Sequence, residues 1–196
     1  MAGLVPIIGL DNFHYALLTE DITTGTTYSP SVAVPNLNQA NIAFNGTSAI
    51  WFADNGPAVV SSQIGEVEVE IIVGDLPPED YTKLIGATRV NGKISYNVNA
   101  NAPDCAIGFR LMKSDGSYRY MWLLKGKFTH PDQNAQTKSD SVEFQPQTLQ
   151  FKGVARLSDK NVYFRVDDND ADLPEPAKTT IEESFFDDPD YVPPTV

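Results

Sequence analysis

Nucleophilic or metal chemistry in this chain would have to rest on His14, His130 and Cys105, because it holds two histidines and one cysteine. That is too few good ligands for a zinc site. His14 sits in an alternating apolar–polar run, which predicts a surface or half-buried strand residue rather than a base. His130 precedes Pro131 in a polar stretch and reads as a turn residue. Cys105 opens the apolar run Cys105-Ala106-Ile107, so a buried, inert thiol is expected, and a lone cysteine excludes an internal disulfide framework. No Gly-x-Ser-x-Gly elbow, phosphate loop or dinucleotide fingerprint occurs. Asp168-Asn169-Asp170-Ala171-Asp172 has the alternating oxygens of a calcium loop. It puts Leu173 where that loop needs Gly and Thr179 where it needs Glu, so no calcium site is expected. Two carboxylates could still converge for glycoside chemistry, but no apolar setting that would raise one pKa is visible. The residues therefore point away from an enzyme, with no cofactor and no metal.

The elements that would carry any other function are mostly strands. Short alternating runs punctuated by Gly, Asn and Asp predict strands over Phe13–Thr19, Leu37–Phe44, Ile50–Phe52, Gln63–Val73, Gly92–Val98, Ala106–Lys113, Tyr118–Phe128, Val142–Ala155 and Asn161–Val166. Ser114-Asp115-Gly116-Ser117 between two long runs predicts a hairpin. Leu76 to Gly86 predicts the one short helix. It has prolines at the start, Glu79 and Asp80 in the first turn and Gly86 just past the end, with Tyr81, Leu84 and Ile85 on one face to pack on the sheet. One helix against nine strands predicts a mainly β chain, a β-sandwich or barrel with a short flanking helix.

Charge divides the 196 residues unevenly. The formal net charge is −12, which excludes binding nucleic acid by bulk positive charge. Residues 167–196 hold ten of the 26 acids and one of the 14 bases, a net of −9. The other 166 residues hold 16 acids and 13 bases, a net of −3. The expected organisation is an N-terminal arm over 1–12, a β domain over 13–166 and an acidic, Pro-containing C-terminal arm over 167–196. Ile181, Phe185, Phe186 and Tyr191 are spaced along that arm as anchors, either for a neighbouring subunit or within a disordered tail. Docking on a neighbour implies that its removal leaves the thermal midpoint of the body unchanged. No run approaches 18 apolar residues, so no membrane span is expected. The start lacks the positive region of a signal peptide, so a cytosolic origin is the default.

Two segments stand out within the body. Residues 45–62 frame Ile50, Trp51, Phe52, Val59 and Val60 with turn residues, which predicts a long β-loop with an apolar middle that meets a partner surface or folds back on its own sheet. In Ile64-Gly65-Glu66-Val67-Glu68-Val69-Glu70-Ile71, strand alternation puts Glu66, Glu68 and Glu70 on one face and the apolar residues on the other. That face is either an ordinary solvated one or one presented to a passing polyanion.

Four ordered strings carry a resemblance: Gly9-Leu10-Asp11-Asn12-Phe13-His14-Tyr15-Ala16; the Ile64–Glu70 run leading into Asp75-Leu76-Pro77-Pro78-Glu79-Asp80-Tyr81-Thr82-Lys83-Leu84-Ile85-Gly86; Ala106-Ile107-Gly108-Phe109-Arg110, the Asp115-Gly116 turn and Tyr118–Phe128; and Thr137-Lys138 before Val142–Leu149. Over roughly residues 9–166 the chain resembles the major tail tube proteins of long, non-contractile-tailed phages of Gram-positive bacteria. The resemblance implies a tail-tube type of β-sandwich and homo-hexameric rings stacked into a hollow tube. It also implies a place in the virion after synthesis in the bacterial cytoplasm. Implied partners are further copies of the chain, the tape measure, tail terminator and distal tail proteins, and DNA that passes without specific binding. Glu66, Glu68 and Glu70 would face the lumen, and the apolar loop would contact the next ring. The acidic segment after residue 166 has no counterpart in the resemblance. Two alternatives stay open: the tube protein of a related secretion system, and a carbohydrate- or cell-surface-binding β-sandwich whose platform would be Trp51, Phe52, Trp122 and Tyr120.

Overall fold

The computed structural model describes residues 5–53, 56–131 and 145–195; of these, the side chains of 51–53, 56–62 and 64 are not described. The string around Thr137-Lys138 and the start of the expected Val142–Ala155 strand lie outside the described residues. The described residues hold eleven strands and two short helices, so the expected mainly β class holds. In chain order the elements are β1 (Ile7–Ile22), β2 (Gly25–Tyr28), β3 (Val32–Val34), β4 (Leu37–Ala53), β5 (Gly56–Val73), α1 (Pro78–Ile85), β6 (Thr88–Val90), β7 (Lys93–Ser95), β8 (Cys105–Lys113), β9 (Tyr118–Thr129), β10 (Gln147–Gly153), β11 (Tyr163–Asp167) and α2 (Glu175–Ser184).

Nine strands form one antiparallel sheet in the order β2-β1-β8-β9-β10-β5-β4. β3 joins β1, β11 joins β9, and β6 and β7 form a separate hairpin. The β8–β9 hairpin turns at the expected Asp115-Gly116, where Gly116 has φ 85° and Lys113 N–H donates to the Ser117 carbonyl. β9 is the hinge of the sheet. Its first half pairs β11 (Tyr163↔Leu123 to Asp167↔Arg119) and its second half pairs β10 (Gly153↔Gly126 to Gln150↔Thr129). Against β8 the register slips between Cys105↔Gly126 and Ile107↔Leu123, a bulge that turns over the faces of β9 beyond it.

Alternation sorts β9 onto two cores. Met121, Leu123 and Phe128 join Phe13, Tyr15, Val67, Val69, Ile71, Ile107, Phe109, Leu149, Phe151 and Leu84 of α1. Tyr120, Trp122 and Leu124 face the other way, onto Ala106 and the C-terminal segment. α1 is built as its sequence predicts, with Gly86 in the left-handed region (φ 70°) and its N–H returning to the Thr82 carbonyl. Leu84 and Ile85 are buried, and Tyr15 Oη donates to buried Asp80 at 2.6 Å, tying α1 to β1.

Both expected arms are corrected. Residues 7–12 are the first part of β1, paired with β8 from Ile7↔Lys113 to Asp11↔Arg110. The C-terminal segment carries a second helix and packs on its own sheet: Ile181, Phe185 and Phe186 are 2%, 0% and 6% exposed. The expectation of anchors for a neighbouring subunit fails because Trp122, Tyr120, Leu124 and Ala106 give this face an apolar patch that the chain's own C terminus covers. Trp122 Nε1 donates to the Phe185 carbonyl at 3.0 Å, Ser31 donates to the Phe186 carbonyl, and buried Arg156 pairs with Asp190 and Asp159. His14 lies half-buried with its ring stacked on Phe186 at 4.5 Å.

Candidate functional site

The three glutamates of β5 do share one face. Val67, Val69, Ile71 and Val73 are fully buried beneath them, while the side chains of Glu66 and Glu68 are 43% and 45% exposed. Sheet register, which no single strand reveals, decides what this face is. Lys152 of β10 stands opposite Glu68, and Gln150 opposite Glu70. On the other side Asn41 of β4 stands opposite Glu70 and Asn45 opposite Glu66. Lys152 Nζ lies 3.0 Å from Glu68 and 3.6 Å from Glu66, and Glu70 accepts from Gln150 at 3.0 Å and Asn41 at 3.2 Å. Lys127 of β9 is opposite Lys152 and on the same face.

This face therefore holds three carboxylates and two ammonium groups, a net charge of −1, set among amides. The hydrogen bond from Lys152 is the first cause holding the Glu68 carboxyl below its ordinary range, and Glu68 in turn raises Lys152. Such a surface is polar, neither strongly repelling nor attracting phosphate: Lys152 is held by two acids, and Lys127 donates to Asn101 at 3.2 Å. Lys127, Lys152, Gln150, Asn41 and Asn45 escape a reading along β5 alone. The alternating Gln150-Phe151-Lys152 was the available signal.

The loop expected over 45–62 is a pair of continuous strands. β10 stops pairing with β5 at Gly153↔Val67, but the β4–β5 ladder continues through nine further pairs, from Asn45↔Glu66 to Ala53↔Gly56. At 3.3 Å per residue this two-stranded ribbon reaches about 26 Å past the other described strands of the sheet. Ile50 is 51% exposed on it; the side chains of Trp51, Phe52, Val59 and Val60 lie outside the described residues. Phe44, at its root, meets Tyr163 with ring centroids 4.9 Å apart.

The residues weighed for chemistry are each taken up structurally. Cys105 is fully buried, and burial pushes its thiol pKa up. His130 sits edge-on to Tyr96 at 5.1 Å. In the 168–172 loop, Asp168 accepts from Tyr118 N–H, Asn169 accepts from Lys113, and Asp170 accepts from Asp172 N–H. Among the described residues no group of three His, Cys, Asp or Glu could hold a metal ion. The carbohydrate platform loses two members, because Trp122 is 0% and Tyr120 1% exposed beneath Phe185 and Phe186.

Asp167 is the best-defined charged centre. It accepts from Arg119 at 2.7 and 2.9 Å and from buried Lys113 at 2.9 Å. The Arg119 hydrogen bonds, then Lys113, hold its pKa at about 2 against an ordinary 3.8. A depressed carboxylate stabilises the fold above its unfolded pKa, and that contribution disappears as pH falls from about 4 to about 2. Asp167→Asn should cost about 2–3 kcal/mol at neutral pH, since it leaves two cations uncompensated, and should flatten this acid limb. Urea unfolding measured from pH 7 to pH 2 checks this; an acid limb as steep in the variant as in the wild type contradicts it.

No helix among the described residues is long and apolar enough to cross a membrane. No protein-family model matches the chain, and a comparison with curated proteins finds no match either.

Proposed function

We propose that this chain is a structural subunit that assembles with copies of itself into stacked hexameric rings, forming a phage tail tube through which DNA leaves the virion. The observation that carries the reading is the β4–β5 ribbon. Among the described residues no further strand pairs with it beyond Gly153↔Val67, and a two-stranded ribbon alone in water is marginal, with hydrogen-bonding edges open on both sides. Nine ladder pairs beyond the sheet therefore call for a partner surface. A second copy meeting the ribbon with a different part of its surface makes a heterologous contact, which closes into rings or propagates as a tube. The four sequence strings that resemble tail tube proteins support the same reading, and so does a polar strand face without exposed cationic clusters, suited to a wall past which DNA slides.

Electron microscopy of the concentrated full chain should show rings or hollow tubes. Glu66→Lys, Glu68→Lys and Glu70→Lys together turn a face of −1 into one of +5. Particles built from this triple variant should assemble but eject DNA poorly, because added ammonium groups bind phosphate and release counterions. A chain that stays monomeric and globular at every concentration sinks the tube. Normal infection by the triple variant removes these residues from its wall.

A further inference from the structure

The β6–β7 hairpin stands apart from the main sheet. It is a two-stranded sheet of its own, three residues past α1, and both of its faces are exposed. Val90 is 61% exposed, Ile94 36%, Tyr96 48% and Val98 91%. Tyr96 meets the His130 ring, but among the described residues Val90 and Val98 join neither core, and a hairpin this short has little stability of its own. Its charge is also opposite to that of the whole. Between Ala87 and Pro103 there are two bases, Arg89 and Lys93, and no acid, in a chain of net charge −12.

The complementary surface is the end of α2 and the turn that follows. Glu182, Glu183, Asp187 and Asp188 are all exposed, and Val192, close behind in sequence, is 78% exposed. The last turn of α2 holds no base. Acids there oppose the helix dipole, so the folding of α2 does not ask for them. Among the described residues only Glu182 of the four has a cationic partner, Arg110 at 2.9 Å.

We infer that the β6–β7 hairpin docks on the acidic C-terminal surface of a second copy of this chain. One chain cannot make this contact with itself. The hairpin is tied to α1 by the Arg89–Glu79 ion pair and by the close approach of Gly86 to the Asn101 backbone, and α1 packs on the first core. The C-terminal segment packs on the second core, with the sheet between them. Val90 and Val98 supply apolar area, Lys93 meets the carboxylates, and joining two different surfaces gives a heterologous contact that closes as a ring or runs on as a filament. The inference rests on the self-assembly proposed above and names the contact between neighbours.

Sedimentation of the full chain across a concentration series tests it. The variants K93E and E183K/D187K should each weaken association at least tenfold, and mixing the two should restore it by pairing the reversed charges. V90S/V98S should weaken association at low and high salt alike. Far-UV circular dichroism and thermal midpoints equal to wild type show that the variants fold. As a second readout, mixed K93C and E183C chains should form an intermolecular disulfide. If the wild type forms rings and folded variants form them unchanged, the hairpin contact is overturned and the tube reading stands. Charge-dependent open chains without rings would support the contact and overturn the tube. A wild type that stays monomeric overturns both.

Discussion

Deleting residues 170–196 should collapse the stability of the monomer, giving insoluble protein or a thermal midpoint at least about 10 °C lower. The segment is not a detachable tail. It inserts Ile181, Phe185 and Phe186 against Trp122, Tyr120, Leu124 and Ala106. Truncating one buried Phe to Ala typically costs about 3–5 kcal/mol, and the deletion removes two Phe and an Ile together. In a chain of this size each kcal/mol moves the midpoint by about 2–4 °C. The deletion also strips polar partners. Trp122 Nε1 loses the Phe185 carbonyl, and buried Arg156 loses Asp190 and keeps Asp159. The sheet face left behind is a contiguous apolar patch, so aggregation should accompany the loss. Phe185→Ala in the full chain separates packing from chain length and should alone cost about 3–5 kcal/mol in urea unfolding. A truncated monomer that melts with the full-length chain would show that the second core is dispensable.

That prediction reverses what the sequence alone implied, and the reason is physical. An acidic, proline-containing stretch is scored as solvated because its charges outnumber its anchors. Which face of a distant strand needs covering is invisible in a linear reading. Tyr118–Phe128 was legible as a strand, yet its apolar residues run almost without alternation, Tyr120 to Leu124 all being buried. That pattern means a strand covered on both faces. Read so, it would have asked for a second cover, and Ile181, Phe185 and Phe186 were the apolar residues left to supply it. Local signals fared better. The α1 helix, with its prolines and Gly86, and the Asp115-Gly116 turn were readable because a few adjacent residues determine them. β2, β3 and β6 were missed because strands of three or four residues carry no periodicity. Glu66, Glu68 and Glu70 do share one face, but its cations were not legible along β5, since Lys152 and Lys127 enter from strands about 80 and 60 residues away in sequence, through register.

Among the described glycines, Gly126→Ala should be one of the most damaging substitutions. Gly126 lies where β9 passes from one partner to the next, opposite Cys105 on β8 and Gly153 on β10. A Cβ there would fall 2.7 Å from Phe151 Cε1 and closer still to Phe151 Cζ and the Lys152 carbonyl oxygen. Phe151 is fully buried and its ring packs on Phe128 with centroids 5.2 Å apart, so it has no space to yield. The carbonyl belongs to the β10 backbone and can move only by opening the ladder. Overpacking of this kind costs about 1–3 kcal/mol where a side chain can shift and more where backbone must, so a loss of about 3 kcal/mol or greater is expected. Two controls bracket it. Gly153→Ala meets Phe151 Cε1 at 3.2 Å and the Val67 carbonyl at 3.4 Å, contacts that a few tenths of an ångström relieve, and should cost less than about 1 kcal/mol. Gly25→Ala meets nothing within 4 Å and should be close to neutral. Urea midpoints for the three variants should rank in that order. Equal stability for Gly126→Ala and Gly25→Ala would mean that β9 and β10 do not approach as closely as the Gly126–Gly153 pair requires, and with that the partner exchange along β9 that holds the two cores apart would fall.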